Sequence, residues 1–138
     1  MKMLICCGGG FSSSALARQM NKQLEELNLG NDLEISFSGF GGSHKVIDEY
    51  DVALLCPHLR HSIDKYIKDH DKPLTTPLYV IPPQMYGLMP LAELYQDALD
   101  VIEIYKATGK NPVCFPGEES IIMNKRKKAY YHIYPRNE

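Results

Sequence analysis

The sequence predicts an α/β protein of three layers, in which a parallel sheet of four strands lies between helices, followed by a C-terminal extension. Up to about residue 105, short apolar segments alternate with segments that carry apolar residues at helical spacing. This alternation is typical of a parallel sheet covered on both faces. The segment 51–56 is almost continuously apolar, as expected for a strand in the middle of such a sheet.

A glycine- and serine-rich turn separates the first strand from the first helix. Residues 3–6 read as a buried strand, and the helix begins at Ser12 or Ser13 and continues to Leu27, with Gly30 or Asn31 ending it. Its apolar stripe consists of Leu16, Met20, Leu24 and Leu27. The other predicted elements are a strand at 33–37, a short helix at 44–50, the central strand at 51–56, a helix at 59–70, a strand at 77–81 and a helix at 91–105.

Length and composition predict one domain with an appendix. The chain has 138 residues, of which 44% are hydrophobic, enough for one compact domain. From residue 107 the helical pattern stops and glycines and prolines follow in quick succession. We therefore divide the chain into a domain at 1–106 and an extension of unknown role at 107–138, in which residues 129–134 form an added strand or a packing arm.

Charge and cysteine content exclude several classes of protein. The net charge is −2 with both signs interspersed, which argues against a nucleic-acid surface, and the basic run at 125–128 is interpreted as a solvated stretch. No apolar stretch approaches the roughly 20 residues that a membrane helix needs, so we expect a cytoplasmic protein without direct membrane insertion. The four cysteines lack a metal-ligand spacing, and free thiols with no metal and no cofactor are expected.

The turn after the first strand is predicted to bind a phosphoryl group. A strand-to-helix turn rich in glycine directs several backbone N–H groups and the positive end of a helix dipole towards one point. The predicted phosphate-binding residues are Gly8, Gly9, Gly10, Phe11, Ser12, Ser13 and Ser14. Cys7 precedes them, and its thiolate, the nucleophilic form, is favoured beside such donors. Because side chains alternate along a strand, Cys6 is expected to point the other way, into the core.

The motif also identifies a family. Residues 7–14 fit the pattern C-x-x-G-x-S-[ST]-S, residues 50–58 read YDVALLCPH, and residues 86–89 read YGLM. Together they resemble the IIB subunit of the lactose/cellobiose class of the bacterial sugar phosphotransferase system, over about residues 1–105. The resemblance implies the strand order 2-1-3-4.

The same resemblance implies a function. Cys7 would accept a phosphoryl group from a phosphohistidine of a IIA partner and pass it to a sugar bound by a IIC membrane permease. The sugar would be of the β-glucoside, cellobiose, chitobiose or lactose type, and the chain would be a phosphocysteine-dependent phosphotransferase subunit. Its own sequence leaves the sugar open, since the permease holds it.

Further residues are expected at the same edge of the sheet, because ligands of parallel sheets bind at the carboxyl ends of the strands. The candidates for a site wall or a partner contact are Pro57, His58, Tyr86, Gly87 and Met89. His58 departs from the family pattern, as do Cys56 and Pro90. Arg60 is left open as a phosphoryl contact.

Two alternatives remain at this stage. A thiol phosphatase also carries a cysteine before a phosphate loop, but it needs an arginine in C-x5-R spacing. The sixth residue after Cys7 is Ser13 and the sixth after Cys6 is Ser12, which argues against that class. The second alternative is a non-catalytic regulatory relative of the IIB fold, in which the extension blocks or adds a docking face.

Overall fold

Four parallel strands form a single sheet in the order β2-β1-β3-β4. The structure, a computed structural model, describes residues 1–7, 13–118 and 126–134, with side chains for residues 1–6, 18–118 and 126–134. The strands are β1 (Lys2–Cys7), β2 (Glu34–Gly39), β3 (Val52–Leu55) and β4 (Leu78–Val80). The predicted fold class and the implied strand order are both confirmed.

Helices cover both faces of this sheet. They are α1 (Ser13–Glu26), α2 (Ile63–Asp69), α3 (Pro83–Leu88), α4 (Leu91–Thr108) and α5 (Tyr130–Ile133), with 3₁₀ turns at Ser43–Lys45, Ile47–Glu49 and Pro57–Ser62. The short helix expected at 44–50 is therefore a pair of 3₁₀ turns. The helix expected at 59–70 begins as a 3₁₀ turn at Pro57, whose ring suits a first turn because its missing N–H has no partner there.

Alternation along β1 divides the core into two halves. Met3 and Ile5 pack with residues of α1 and α4, including Met20 and Leu94, in one cluster. Leu4 and Cys6 point to the opposite face, where their cluster includes α2. The central strand β3 is buried throughout, since it has helices on both sides and strands on both edges.

The first helix ends earlier than its apolar stripe predicts. Asn28 adopts a left-handed conformation with φ 56°, Leu29 N donates to Leu24 O at 3.0 Å, and Asn28 N donates to Glu25 O at 3.1 Å. These two bonds form a Schellman cap with asparagine in the position that usually holds glycine. Leu27, predicted on the buried stripe, is consequently 43% exposed.

A helix that was not predicted follows β4. The residues expected to form a loop there lie largely in α3, which Pro83 begins and a left-handed Met89 (φ 45°) ends. Two consecutive prolines end a strand, and the second one also suits the first position of a helix.

Part of the extension packs on the domain. Val113 forms a parallel bridge with Tyr79 on the outer edge of β4, and Val113 N donates to Leu78 O at 2.8 Å. Phe115 is fully buried, and residues 130–133 form the short helix α5 rather than a strand. Within the described part of the chain, no helix has the length and apolar composition of a membrane span.

Candidate functional site

The carboxyl ends of all four strands meet at one edge of the sheet. At this edge Cys7 lies opposite Gly39 of β2, and Cys6 lies opposite Leu55 of β3. The hydrogen-bonded pairing of β3 with β4 continues one residue beyond β4, because Ile81 N donates to Leu55 O at 2.9 Å. The edge thus collects the residues that follow each strand, as expected for the binding side of an open parallel sheet.

The residues predicted to bind the phosphoryl group begin here. Cys7 is the last residue of β1, and the structure describes its backbone but not its side chain. Gly8, Gly9, Gly10, Phe11 and Ser12 lie outside the described residues, and Ser13 and Ser14 are the first residues of α1, without described side chains. The described ends of β1 and α1 flank the segment 8–12, so the expected order of strand, glycine-rich segment and helix is preserved. The roles of these residues stay predictions.

Cys6 has the environment that alternation predicts. Its side chain is fully buried in the cluster on the α2 face. Its carbonyl oxygen accepts hydrogen bonds from Cys56 N and from Cys56 Sγ, each at 3.1 Å. Cys6 is therefore a core residue that joins β1 to the end of β3.

The turn after β3 supplies two of the expected wall residues. Pro57 is half-buried and His58 is exposed. Arg60, half-buried, donates from Nη1 to Pro57 O at 3.2 Å, so part of its guanidinium binds its own turn.

The helix α3 and its C-cap residue supply the other three. Tyr86 is half-buried and packs against both core clusters. Gly87 is exposed and the neighbouring Leu88 is 57% exposed, whereas Met89 is only 3% exposed. Tyr86 and Gly87 therefore offer surface at this edge, and Met89 supports it from the core.

Two glutamines of α1 contact this wall and were not singled out in the sequence. Gln19 Nε2 donates to Leu88 O at 3.3 Å, and Gln23 Nε2 donates to Met89 O at 2.9 Å. They lie four residues apart, which puts them on one face of the helix. Spacing alone does not separate them from ordinary surface polar residues.

A cluster of stacked aromatic and histidine rings follows the end of β2, on the α2 face of the sheet. Tyr66 is stacked between Phe40 and His44, each with a centroid distance of 3.9 Å. His44 Nδ1 is 2.9 Å from His70 Nδ1, and His70 Nε2 is 3.0 Å from Asp48 Oδ2. His44 is half-buried in this cluster. Phe40, His44 and Tyr66 line a cleft of ≈ 560 Å³.

A buried charge cluster joins the extension to α4. Arg126, expected in a solvated basic run, is only 7% exposed, so that expectation was wrong for this residue. Its guanidinium donates to Asp97 Oδ2 at 3.1 Å and to Tyr79 Oη at 2.6 Å, and it also binds Glu118. Burial raises the pKa of Asp97 to about 6, against the opposing effect of Arg126.

Metal ligation has no geometric support in the described ranges. Among residues 1–7, 13–118 and 126–134, no group of three or more His, Cys, Asp or Glu residues is arranged to hold a metal ion.

Comparison with known proteins identifies the family. The sequence model of the PTS system, lactose/cellobiose-specific IIB subunit, matches residues 2–97, which span β1 to the middle of α4. The chain belongs to this family. The matched region contains the whole sheet, and the IIB assignment therefore covers the edge described above.

A curated relative supports the assignment over a shorter stretch. The chain is 29% identical over 70 residues to the PTS system lactose-specific EIICB component of Lactococcus lactis subsp. lactis. The aligned stretch is 51% of this chain and 12% of that protein. The match therefore aligns about half of this chain with a small part of a much longer relative in the phosphotransferase system.

Proposed function

We propose that this IIB protein is a phosphoryl carrier that forms a phosphocysteine at Cys7. The observation that carries the proposal is the family match over residues 2–97 combined with the place of Cys7. Cys7 ends β1 at the carboxyl edge and is followed by a glycine- and serine-rich segment that leads into α1. Backbone N–H groups of that segment and the N-terminus of α1 would stabilise the phosphoryl oxygens.

The proposed reaction has two transfers. The Cys7 thiolate attacks the phosphorus of a phosphohistidine on a IIA partner, an S–P bond forms, and the N–P bond breaks, with the imidazole taking up a proton. A sugar hydroxyl on a IIC permease then attacks the same phosphorus, the P–S bond breaks, and the thiolate is restored. The hydroxyl proton passes to a base outside this chain. Positioning and charge stabilisation are the main demands.

The sugar and the partners are part of this proposal. The family description names lactose and cellobiose, and the relative's name includes both a IIC and a IIB component, which supports a IIC partner. We infer a sugar of the β-glucoside, cellobiose, chitobiose or lactose type. The exposed surface of Gly87 and Leu88, beside Tyr86, suits recognition by partners that dock in turn.

The experiment is incubation with phosphoenolpyruvate, the general phosphotransferase proteins and a cognate IIA, followed by intact-mass measurement. We expect wild type to gain one phosphoryl group and Cys7→Ser to gain none. Cys114→Ser, which changes an exposed thiol remote in sequence from the edge, is the matched control and should be labelled like wild type. Labelling of Cys7→Ser, or no labelling of wild type by any IIA, would reject the proposal, and the second result would favour a regulatory IIB relative.

A further inference from the structure

One side chain joins the helix behind the glycine-serine segment to the wall of the site. Gln23 of α1 is half-buried and uses both ends of its amide. Its Nε2 donates to Met89 O at 2.9 Å, and its Oε1 accepts from Leu91 N at 2.8 Å. The amide therefore bridges the junction between α3 and α4.

Both backbone groups that Gln23 binds need a partner from outside their own helices. Leu91 is the first residue of α4, and the N–H groups of a first turn have no acceptor within the helix. Pro90, the N-cap residue, gives no side-chain cap. Met89 holds a left-handed conformation with φ 45° and ψ 56°, which a residue with a Cβ adopts only when its surroundings fix it.

The junction has direct consequences for the edge. Met89 N donates to Met85 O at 2.6 Å, which closes α3, and α3 carries Tyr86 and the exposed Leu88. The helix α1 begins at Ser13, directly after the segment 8–12. A shift of the junction relative to α1 would thus move Tyr86 relative to the start of α1.

We propose that Gln23 is a positioning residue that holds the α3 wall against α1, the helix that follows Cys7 and the segment 8–12, and so sets the geometry in which Cys7 reacts. The inference rests on the proposed phosphoryl-carrier function. Gln23 acts through Met89 and Leu91 and does not itself touch the transferred group.

Two variants of Gln23 and one control test this. Gln23→Met keeps the length of the side chain and removes both hydrogen bonds. Gln23→Glu keeps an acceptor for Leu91 N but places a carboxylate oxygen against Met89 O. Lys22→Ala, at the neighbouring position of α1, removes an exposed side chain whose ion pair with Glu26, at 3.9 Å, lies within α1, and is the matched control.

The first readout needs no partner protein. Alkylation of Cys7 by iodoacetamide is followed by peptide mass at neutral pH, under conditions in which circular dichroism shows each variant to be folded. We expect Gln23→Met to slow it by about two- to tenfold, which corresponds to about one ordinary hydrogen bond of the two that the variant loses. Gln23→Glu should lie between Gln23→Met and wild type, and Lys22→Ala should match wild type.

The second readout is the single-turnover rate of phosphorylation by the phosphorylated IIA. We expect the limiting rate of Gln23→Met to fall by a similar factor while the IIA concentration for half-maximal rate stays within about twofold of wild type. If both rates equal those of wild type, the positioning role is wrong and the carrier function stands. If wild type accepts no phosphoryl group, the carrier function fails, and the alkylation rates still decide whether Gln23 controls the geometry at Cys7.

Discussion

Asp97 and Arg126 form a buried ion pair between residues far apart in the sequence. The carboxylate is fully buried, with Oδ2 on Arg126 and Oδ1 accepting from Tyr130 N at 2.8 Å. Glu118 and Tyr79 also bind the guanidinium, so Asp97 shares its cation with other acceptors. The loss of hydration on burial therefore outweighs the attraction of Arg126, and the pKa of Asp97 rises to about 6.

This pKa predicts a pH dependence of stability. The folded pKa of about 6 lies above the unfolded value of about 3.9, so the native state binds the proton more tightly. The contribution is fully present below about pH 4 and is lost as the pH rises through about 6, by roughly 3 kcal/mol at most. In urea unfolding between pH 4 and 7, the free energy of wild type should fall relative to that of Asp97→Asn, which cannot titrate. A difference that rises with pH would show that Arg126 dominates instead.

At the residue scale, the sequence predicts what depends on local pattern. The burial of Cys6 follows from alternation in a strand, and the structure confirms it. The contacts of Gln23 and Arg126 join residues 66 and 29 positions apart, and no local periodicity encodes them. Arg126 in particular lies in a run of cations, and only its packing distinguishes it from Lys127 and Lys128, which are exposed.

At the element scale, a hydrogen-bonded pair of imidazoles links the 3₁₀ turns after β2 to the end of α2. His44 and Asp48 belong to the connection between β2 and β3, and His70 is the C-cap residue of α2. The His70 side chain is only 2% exposed and reaches both partners. Asp48 Oδ1 is buried and has no hydrogen-bond partner within the described structure. The charge of this carboxylate is therefore compensated through Oδ2, by His70 at 3.0 Å and by Lys72 at 3.7 Å.

We predict that His70→Ala destabilises the fold more than His44→Ala. Loss of His70 leaves a partly buried carboxylate with less compensation, at a cost of about 2 kcal/mol. Loss of His44 removes stacking on Tyr66 and one hydrogen bond, at a cost of about 1 kcal/mol. Urea unfolding at neutral pH measures both, and an equal or reversed order would contradict the role given to His70.

The elements themselves were largely predictable. Three of the four strands are short, mainly apolar segments, β2 alternates apolar with polar residues, and each strand overlaps the segment where the pattern placed it. The helix α3 was not predicted, because a six-residue segment that begins with Pro83 and contains Gly87 has no helical periodicity to read. Its capping by Met89, held from α1, is a tertiary effect.

At the scale of the whole molecule, the described parts of the extension complete the core. Phe115 is fully buried and stacks on Tyr130 with a centroid distance of 4.6 Å. Asn111 Oδ1 accepts from Leu78 N at 2.8 Å, which satisfies an edge group of β4. These contacts cover the outer side of β4 and one end of α4. The proposed boundary at residue 106 therefore divides a packed surface.

We predict that removal of residues 107–138 severely destabilises the protein. The deletion takes away a buried aromatic ring and leaves Asp97 buried without its cation, together costing at least about 4 kcal/mol. Urea unfolding and near-ultraviolet circular dichroism of chain 1–106 measure this, with chain 1–134 as the control. Native-like unfolding of chain 1–106 would show that the domain is independent of the extension.

The central claim is that one thiol at the carboxyl edge carries the phosphoryl group. Tandem mass spectrometry of the protein phosphorylated through IIA, digested rapidly under conditions that preserve P–S bonds, tests it most directly. We expect the phosphoryl group on Cys7, with none on Cys6 or on the serines at 12–14. A phosphoryl group on any of those residues, with Cys7 unmodified, would contradict the account.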